Sequence, residues 1–523
     1  MRGRASRLLF VSGLLLTVVS HLPYVFYGYE LNTDESAQMA VAKRMAFDWV
    51  PWRSTDYLTS GPLIAGFLAL LRVIGIPITY ASAHAIAFAL LLSILILGWR
   101  LSASLFGPFP AALAFFAAAA WLSCIMAPAC AHYGSELLPS FLVVLGLCLL
   151  VKEGECSRTP WRIAAGSLVI GLAPWAKLQA APIALAACLW IVVSSRWPPT
   201  ESPHSRRAAV LRMVIAAISA LLPTLVILLI CERAGTLGYF WNSFVLNSLA
   251  YSGAASIQTL YLHVRAASQS PLVEGLFIAS IAALVQDIRP SWPPRMPRRL
   301  LLPILLLAAS FYAAFKPEYD FPHYQIFLIC PILLVVAFLF RKIIISVERL
   351  GDSLRQRVFL ALASMIIAAP LIADPSIFVS RWYQTAIRSP RINYEERRLS
   401  EPLSTVIPRN ASLFVWGWAS SLYLDLDARP STRYPIHQFL VRESPYRDYM
   451  RRFLLQDLER ERPDWIVVVE KNETFELGST PPFPELQSVI DRSYGLAFEN
   501  ANLRAYRREG ALTERTDRDH PAF

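Results

Sequence analysis

YELNTDESAQMAVAKRMAFDWVPWRSTDYLTSGPL, residues 29–63, separates the first long apolar segment from a nearly unbroken series of others. Within it, Ser36–Trp49 places Met39, Ala42, Met45, Ala46 and Trp49 at helical spacing, with Lys43, Arg44 and Asp48 on the other positions. That pattern predicts an amphipathic helix lying on a membrane surface, capped by Thr33 or Asp34. The next apolar run, Pro62–Leu71, is cut short by Arg72 and the GIP at 75–77, so it reads as an interfacial or re-entrant helix and not a span.

The rest of the chain fits this beginning. Of 523 residues, 55% are hydrophobic and 17% charged, whereas a soluble domain carries about a quarter charged residues. Runs of about 20 apolar residues suffice to cross a bilayer. They place spans near 8–28, 80–99, 108–127, 136–152, 161–176, 178–195, 209–231, 272–288, 300–315, 324–341 and 357–373, eleven in all. The N-terminus, MRGRASRLLFVSGLLL, has the charge of a signal peptide but runs on without a small-residue cleavage site, and so reads as the first of these spans.

The net charge of +11 reflects arginine and lysine clusters between spans. Arg2, Arg4 and Arg7, Arg100, Lys152 with Arg162, Arg196 with Arg207, Arg289–Arg299 and Arg341-Lys342 all fall on one side when eleven spans are counted. Positive loops stay cytoplasmic. No basic stripe alternates with exposed aromatics, which argues against nucleic acid as a partner. Loops 29–79, 128–135, 232–271 and 316–323, and everything after about 374, then face the extracytoplasmic side.

The tail differs in kind. Strand-like runs, SLFVWGW at 412–418 and DWIVVV at 464–469, alternate with polar helical stretches such as Tyr446–Arg460. This predicts a small α/β domain outside the membrane. The expected division is a membrane domain over 1–375, containing the outer loop 29–79, an α/β domain over 376–510 and a disordered tail over 511–523. None of the seven cysteines follows Cys330, so the tail is not a disulfide scaffold. Cys124 and Cys130 are spaced to pair, or to pack as isolated thiols.

The polar residues that interrupt apolar sequence are the candidates for chemistry. Asp34 and Glu35 adjoin the first span, where one carboxylate can take a proton while its neighbour orients a substrate or binds a divalent cation. The pair equally suits the first turn of a helix. In APACAHYGSELLP (127–139), His132, Tyr133 and Glu136 stand at the start of a span, where a carboxylate is costly and usually functional, though helix N-termini favour acids too. Lys177, in GLAPWAKLQAAP (171–182), is a solitary cation between two apolar segments, placed either to hold a phosphate or to snorkel. His323 and Tyr324 enter a span from the crowded loop FKPEYDFPHYQ and can donate to phosphate oxygens or form part of an aromatic belt. Asn247, Tyr251, His263 and Arg265 are further polar candidates in loop 232–271, where GYFWNSFVLNSLAYSG suggests another surface-lying helix.

In this order, Asp34-Glu35, Pro62-Leu63, Glu136, Lys177 and His323-Tyr324 resemble the GT-C superfamily of membrane glycosyltransferases, in particular the bacterial protein O-mannosyltransferases and lipid A aminoarabinose transferases. The tail, VWGWASSLYLDLDARPSTRY (415–434) followed by RPDWIVVV (462–469), resembles those relatives as well. The resemblance implies a polytopic α-helical protein of the bacterial inner membrane with an extracytoplasmic α/β domain. It implies transfer of a sugar from a polyprenyl-phosphate carrier to a lipid, glycan or protein acceptor, with Asp34 as base. Lys177, His323 and Tyr324 would hold the carrier phosphate, and Glu35 would serve the acceptor or a divalent metal. Thr59-Ser60-Gly61 stands where relatives often carry a charged residue. The rival reading is a membrane transporter or lipid-handling scaffold without catalysis. It would favour a midplane site built from repeated halves, and the sequence shows no internal repeat.

Overall fold

The computed structural model describes residues 2–123, 130–152, 155–157, 159–196, 203–253, 298–317, 321–348, 394–469 and 483–509. The expected spans 272–288 and 357–373, the boundary at 375/376, His263, Arg265, Cys124 and the stretch 511–523 lie outside the described residues. The chain divides into two compact units. The first gathers Met1–Tyr27, His84–Ile227 and Ser252–Ser389; the second gathers Gly28–Ala83, Leu228–Tyr251 and Pro390–Phe523.

The first unit is helical. Among the described residues, Gly3–Val25, Tyr80–Phe106, Arg207–Arg233 and Pro322–Ile345 are long and apolar enough to cross a membrane. Shorter apolar helices include Pro108–Trp121, Leu137–Leu150, Leu178–Ser194 and Leu300–Phe315. The outward side chains explain the composition. On the helix Pro203–Arg233, Leu211, Ile218, Leu221, Leu225 and Leu229 are more than half exposed, a surface suited to hydrocarbon and not to water.

Helices inside this unit approach closely where residues are small. Leu137–Leu150 packs along Pro160–Ala176, and the two meet at Gly146 and Gly166. A Cβ on Gly146 would stand 2.7 Å from the Gly166 carbonyl oxygen, and one on Gly166 would stand 2.8 Å from that of Gly146. Without a hydrophobic force between helices in lipid, such backbone-to-backbone contact carries the association.

The second unit holds a mixed sheet. Its strands are β1 (Ser412–Trp416), β2 (Arg429–Pro430), β3 (Trp465–Val469), β4 (Tyr494–Glu499) and β5 (Leu503–Arg508), in the order β2-β1-β3-β5-β4. β1 runs parallel to both neighbours, with Leu413 opposite Trp465 and Val415 opposite Val467. β5 runs antiparallel to β3, with Tyr506 opposite Ile466, and β4 forms the edge antiparallel to β5. Because β1 is buried along its whole length, it reads as an unbroken apolar run without alternation. Leu413, Val415, Val467 and Val469 build the core of this unit together with Tyr423 and, from a stretch far earlier in the chain, Ala40.

Ala40 belongs to the helix Thr33–Met45, and here the structure corrects the sequence reading. The helix is not surface-lying: all but three of its residues, Thr33, Asp34 and Lys43, are buried. Its polar face is turned onto the sheet region. Lys43 Nζ donates to the Tyr423 carbonyl oxygen and to Asp427 Oδ1, both at 3.0 Å. Arg44 donates to the carbonyl oxygens of Ser54 (3.2 Å) and Pro430 (3.3 Å) and to Glu461 Oε1 (3.1 Å). The cap is also corrected: the Asn32 side chain, not Thr33 or Asp34, accepts the N–H of Asp34 at 2.9 Å. Pro62–Val73, with its 12 residues, reaches about 18 Å at the rise of an α-helix, short of the ~30 Å hydrocarbon core.

Candidate active site

Three irregularities in the helices of the first unit bring its charged residues together. Pro160–Ala176 stops at Lys177, whose backbone is extended (φ −153°, ψ 126°), and the chain resumes through a single 3₁₀ turn, Leu178–Ala180. Pro174 precedes this break and removes a backbone donor from the last turn. Glu136 is the residue before the helix Leu137–Leu150. His323 and Tyr324 lie in the 3₁₀ segment Pro322–Leu328 that leads into Ile329–Glu348.

At their meeting point Lys177 Nζ donates to Ser135 Oγ at 2.7 Å and to Glu136 Oε1. Ser135 Oγ donates to the same carboxylate oxygen at 3.1 Å. His323 Nε2 stands 3.9 Å from it. The ammonium also lies over the Tyr324 ring, 4.8 Å from its centre. The His132 ring meets His323 edge-on at 5.6 Å, and Phe321 stacks on His323 at 5.3 Å. Lys177 and Glu136 are almost wholly buried, at 5% and 0% side-chain exposure. Glu136 Oε2 is buried and accepts no hydrogen bond among the described residues. Tyr133 is buried beside this group in sequence. A buried ion pair gains little net stability, because desolvation cancels most of the attraction. The pair nevertheless places an ammonium and a carboxylate side by side in an apolar setting.

Asp34 and Glu35 belong to the second unit, at the first turn of Thr33–Met45. Glu35 is buried, and its Oε1 accepts the Leu31 N–H at 2.6 Å, which closes the helix start. Asp34 is half-buried beside it. Both acids stand in the first turn of the helix, at the positive end of its dipole. Among the described residues no group of three or more His, Cys, Asp or Glu side chains is arranged to hold a metal ion.

The arrangement of helices has counterparts. ArnT from Cupriavidus metallidurans, solved with undecaprenyl phosphate bound, superposes with a TM-score of 0.59 at 14% identity, covering 97% of this chain and 98% of that one. Its apo structure gives 0.56 at 13% identity over the same shares. The chain shares the fold of that protein. The likeness lies in three dimensions: no family model matches the sequence, and no curated protein does either.

Of the remaining candidates, Asn247 and Tyr251 sit in the second unit. Asn247 is buried, and Tyr251 meets Phe439 edge-on at 5.6 Å with the Arg442 guanidinium over its ring at 4.8 Å. Their stretch, Leu237–Tyr251, is not simply surface-lying: it passes through a π-helical section, Trp241–Leu246, and buries Tyr239, Phe240, Ser243 and Phe244.

That burial serves a residue the sequence did not single out. Asp56 is 1% exposed, and its Oδ2 accepts from the Tyr239 hydroxyl at 2.7 Å and from the Ser243 hydroxyl. Its Oδ1 accepts the Leu58 N–H at 2.7 Å, and its own N–H donates to the Arg433 carbonyl oxygen at 2.9 Å. The Tyr239 and Tyr434 hydroxyls are 2.6 Å apart. Arg433 lies over Tyr239 and is itself clamped by two bonds to Asp457, at 2.8 and 2.9 Å. Burial pushes the Asp56 carboxyl above the ordinary carboxylate range, against the pull of the Ser243 and Tyr239 hydroxyls. Three distant stretches of chain meet on this one carboxyl.

Proposed function

We propose that the chain is an integral membrane glycosyltransferase that moves a sugar from a polyprenyl-phosphate carrier to an extracytoplasmic acceptor. The observation that carries this reading is Lys177: a buried ammonium at a helix break, flanked by His323 and Tyr324, in a fold shared with a protein solved with undecaprenyl phosphate bound. Polyprenyl phosphate is a monoester whose sugar-linked form presents one charged phosphodiester. A lone cation with neighbouring hydroxyl and imidazole donors matches that charge.

The reaction is a single displacement. The acceptor hydroxyl or amine attacks the anomeric carbon, the bond from that carbon to the phosphate oxygen breaks, and Asp34 takes the acceptor's proton. Inversion at the anomeric carbon follows. The leaving phosphate gains charge as it departs, and Lys177, His323 and Tyr324 answer it. Glu136 acts as the counter-ion of Lys177 while no phosphate is present. In this reading the protein belongs to the bacterial inner membrane, with its N-terminus cytoplasmic and its sheet-bearing unit outside.

The test is transfer from a panel of labelled polyprenyl-phosphate sugars to membrane-extract acceptors. Asp34→Asn is expected to abolish transfer while still binding the carrier. Lys177→Gln is expected to lose carrier binding. Undiminished transfer by Asp34→Asn would remove Asp34 from the role of base.

A further inference from the structure

A cavity opens in the first unit, and none of its lining residues belongs to the Lys177 group. It has a volume of about 790 Å³, within the usual range of ligand sites. Its walls come from the start of Arg2–Val25, the end of Tyr80–Phe106, the start of Pro108–Trp121 and the end of Ile329–Glu348. Arg7 and Arg341 line it, with Glu348 as the acidic residue among its lining groups.

The polar groups are built for an anion. The Trp99 Nε1–H is buried at the cavity wall with no hydrogen-bond acceptor among the described residues. Arg341 is held in place by one guanidinium nitrogen, which donates to the Leu105 carbonyl oxygen at 3.3 Å; its fork leaves other donors for a ligand. Two arginines against one glutamate leave one positive charge in excess. The flanks are apolar: Leu8 is 72% exposed, Val11 49% and the cavity-lining Ile345 39%. A cationic pocket whose edges open onto exposed aliphatic side chains suits an amphiphile, with its anionic head on the arginines and its chains along the helices.

We infer that this cavity is a binding site for the phosphodiester headgroup of an anionic membrane phospholipid, separate from the proposed carrier site. A monoanionic head such as phosphatidylglycerol balances the excess charge, whereas the choline of phosphatidylcholine brings an extra cation toward Arg7 and Arg341.

Native mass spectrometry of the detergent-purified full chain tests this, with phosphatidylglycerol, phosphatidylcholine and glycerol phosphate as probes. The expected result is one retained phosphatidylglycerol adduct, bound at least tenfold more tightly than phosphatidylcholine, with no retained glycerol phosphate. Arg7→Gln should weaken that adduct about tenfold, and Trp99→Phe should weaken it without changing any charge. Arg4→Gln, which removes an equal charge outside the cavity, should leave it intact. Equal retention of both lipids, or wild-type retention by both Arg7→Gln and Trp99→Phe, would overturn the inference. Glycerol phosphate held as tightly as the lipid would overturn the assignment to a membrane lipid. Thermal unfolding of each variant at the wild-type temperature confirms that the loss is local.

Discussion

At the scale of single residues, the Lys177–Glu136 pair separates stability from function. Removing one partner of a buried pair leaves an uncompensated charge, so Lys177→Met is expected to destabilise the protein by about 3–5 kcal/mol. Lys177→Met combined with Glu136→Leu removes both charges and should recover most of that loss in thermal unfolding. It should not recover binding of polyprenyl phosphate. Recovery of both would reduce the lysine to a packing role. Asp56 gives the complementary case. Asn in its place can still donate to the Tyr239 and Ser243 hydroxyls, so Asp56→Asn is expected to fold nearly as well as wild type. Asp56→Leu removes the acceptor of the Ser243 hydroxyl and of the Leu58 N–H and leaves the Tyr239 hydroxyl only Tyr434, at about 1–3 kcal/mol for each buried group left unsatisfied. Denaturant titration of the two variants distinguishes them.

These residues differ in how readily the sequence revealed them. Lys177 and Glu136 interrupt apolar runs, where a charge is conspicuous. Asp56 does not: it stands in RSTDYLTSG, a composition ordinary for a turn, and its hydroxyl partner Tyr239 is 183 residues away. No local period connects an aspartate to a tyrosine at that distance.

At the scale of elements, the helix Thr33–Met45 shows why its face was misread. Periodicity separates polar from apolar positions but does not say what the polar side meets. Lys43 and Arg44 meet Asp427, Pro430 and Glu461, all from the other end of the chain. Such a helix tolerates little loss at its start. Asn32→Ala is expected to cost about 1 kcal/mol through the lost cap. The helix contact at Gly146 and Gly166 makes a sharper prediction. Leu at either position would force the backbones apart, so Gly146→Leu should lower the thermal stability of the first unit far more than Gly238→Leu, whose Cβ would meet nothing within 4 Å.

At the scale of the whole molecule, the second unit responds to acid through His437. That imidazole is 1% exposed, stands 5.1 Å from the Trp416 ring, and burial holds its pKa down to about 4. Unfolded, it would protonate near 6.5. The folded unit therefore binds fewer protons than the unfolded one between these values. Its contribution is complete above pH 6.5 and disappears as the pH falls toward 4, amounting to about 3 kcal/mol in all. His437→Gln should flatten the acid limb of a stability-against-pH curve; an unchanged limb would assign the sensitivity to other groups. The unit's composition from three separated stretches predicts more. A fragment of residues 390–523 alone lacks Ala40 from its core, and it lacks Lys43 and Arg44, which pair with Asp427 and Glu461, so its circular dichroism is expected to show a poorly cooperative melt.

The ion pair between Lys43 and Asp427 spans 384 residues, and this sets a clock on biosynthesis. At ~5–20 residues per second, roughly 20–80 seconds pass between the emergence of one partner and the other. Through that interval the ribosome has delivered the helix bearing Asp34 and Glu35, but not the sheet that encloses it. A nascent chain released early would carry both carboxylates and no enclosure for their helix.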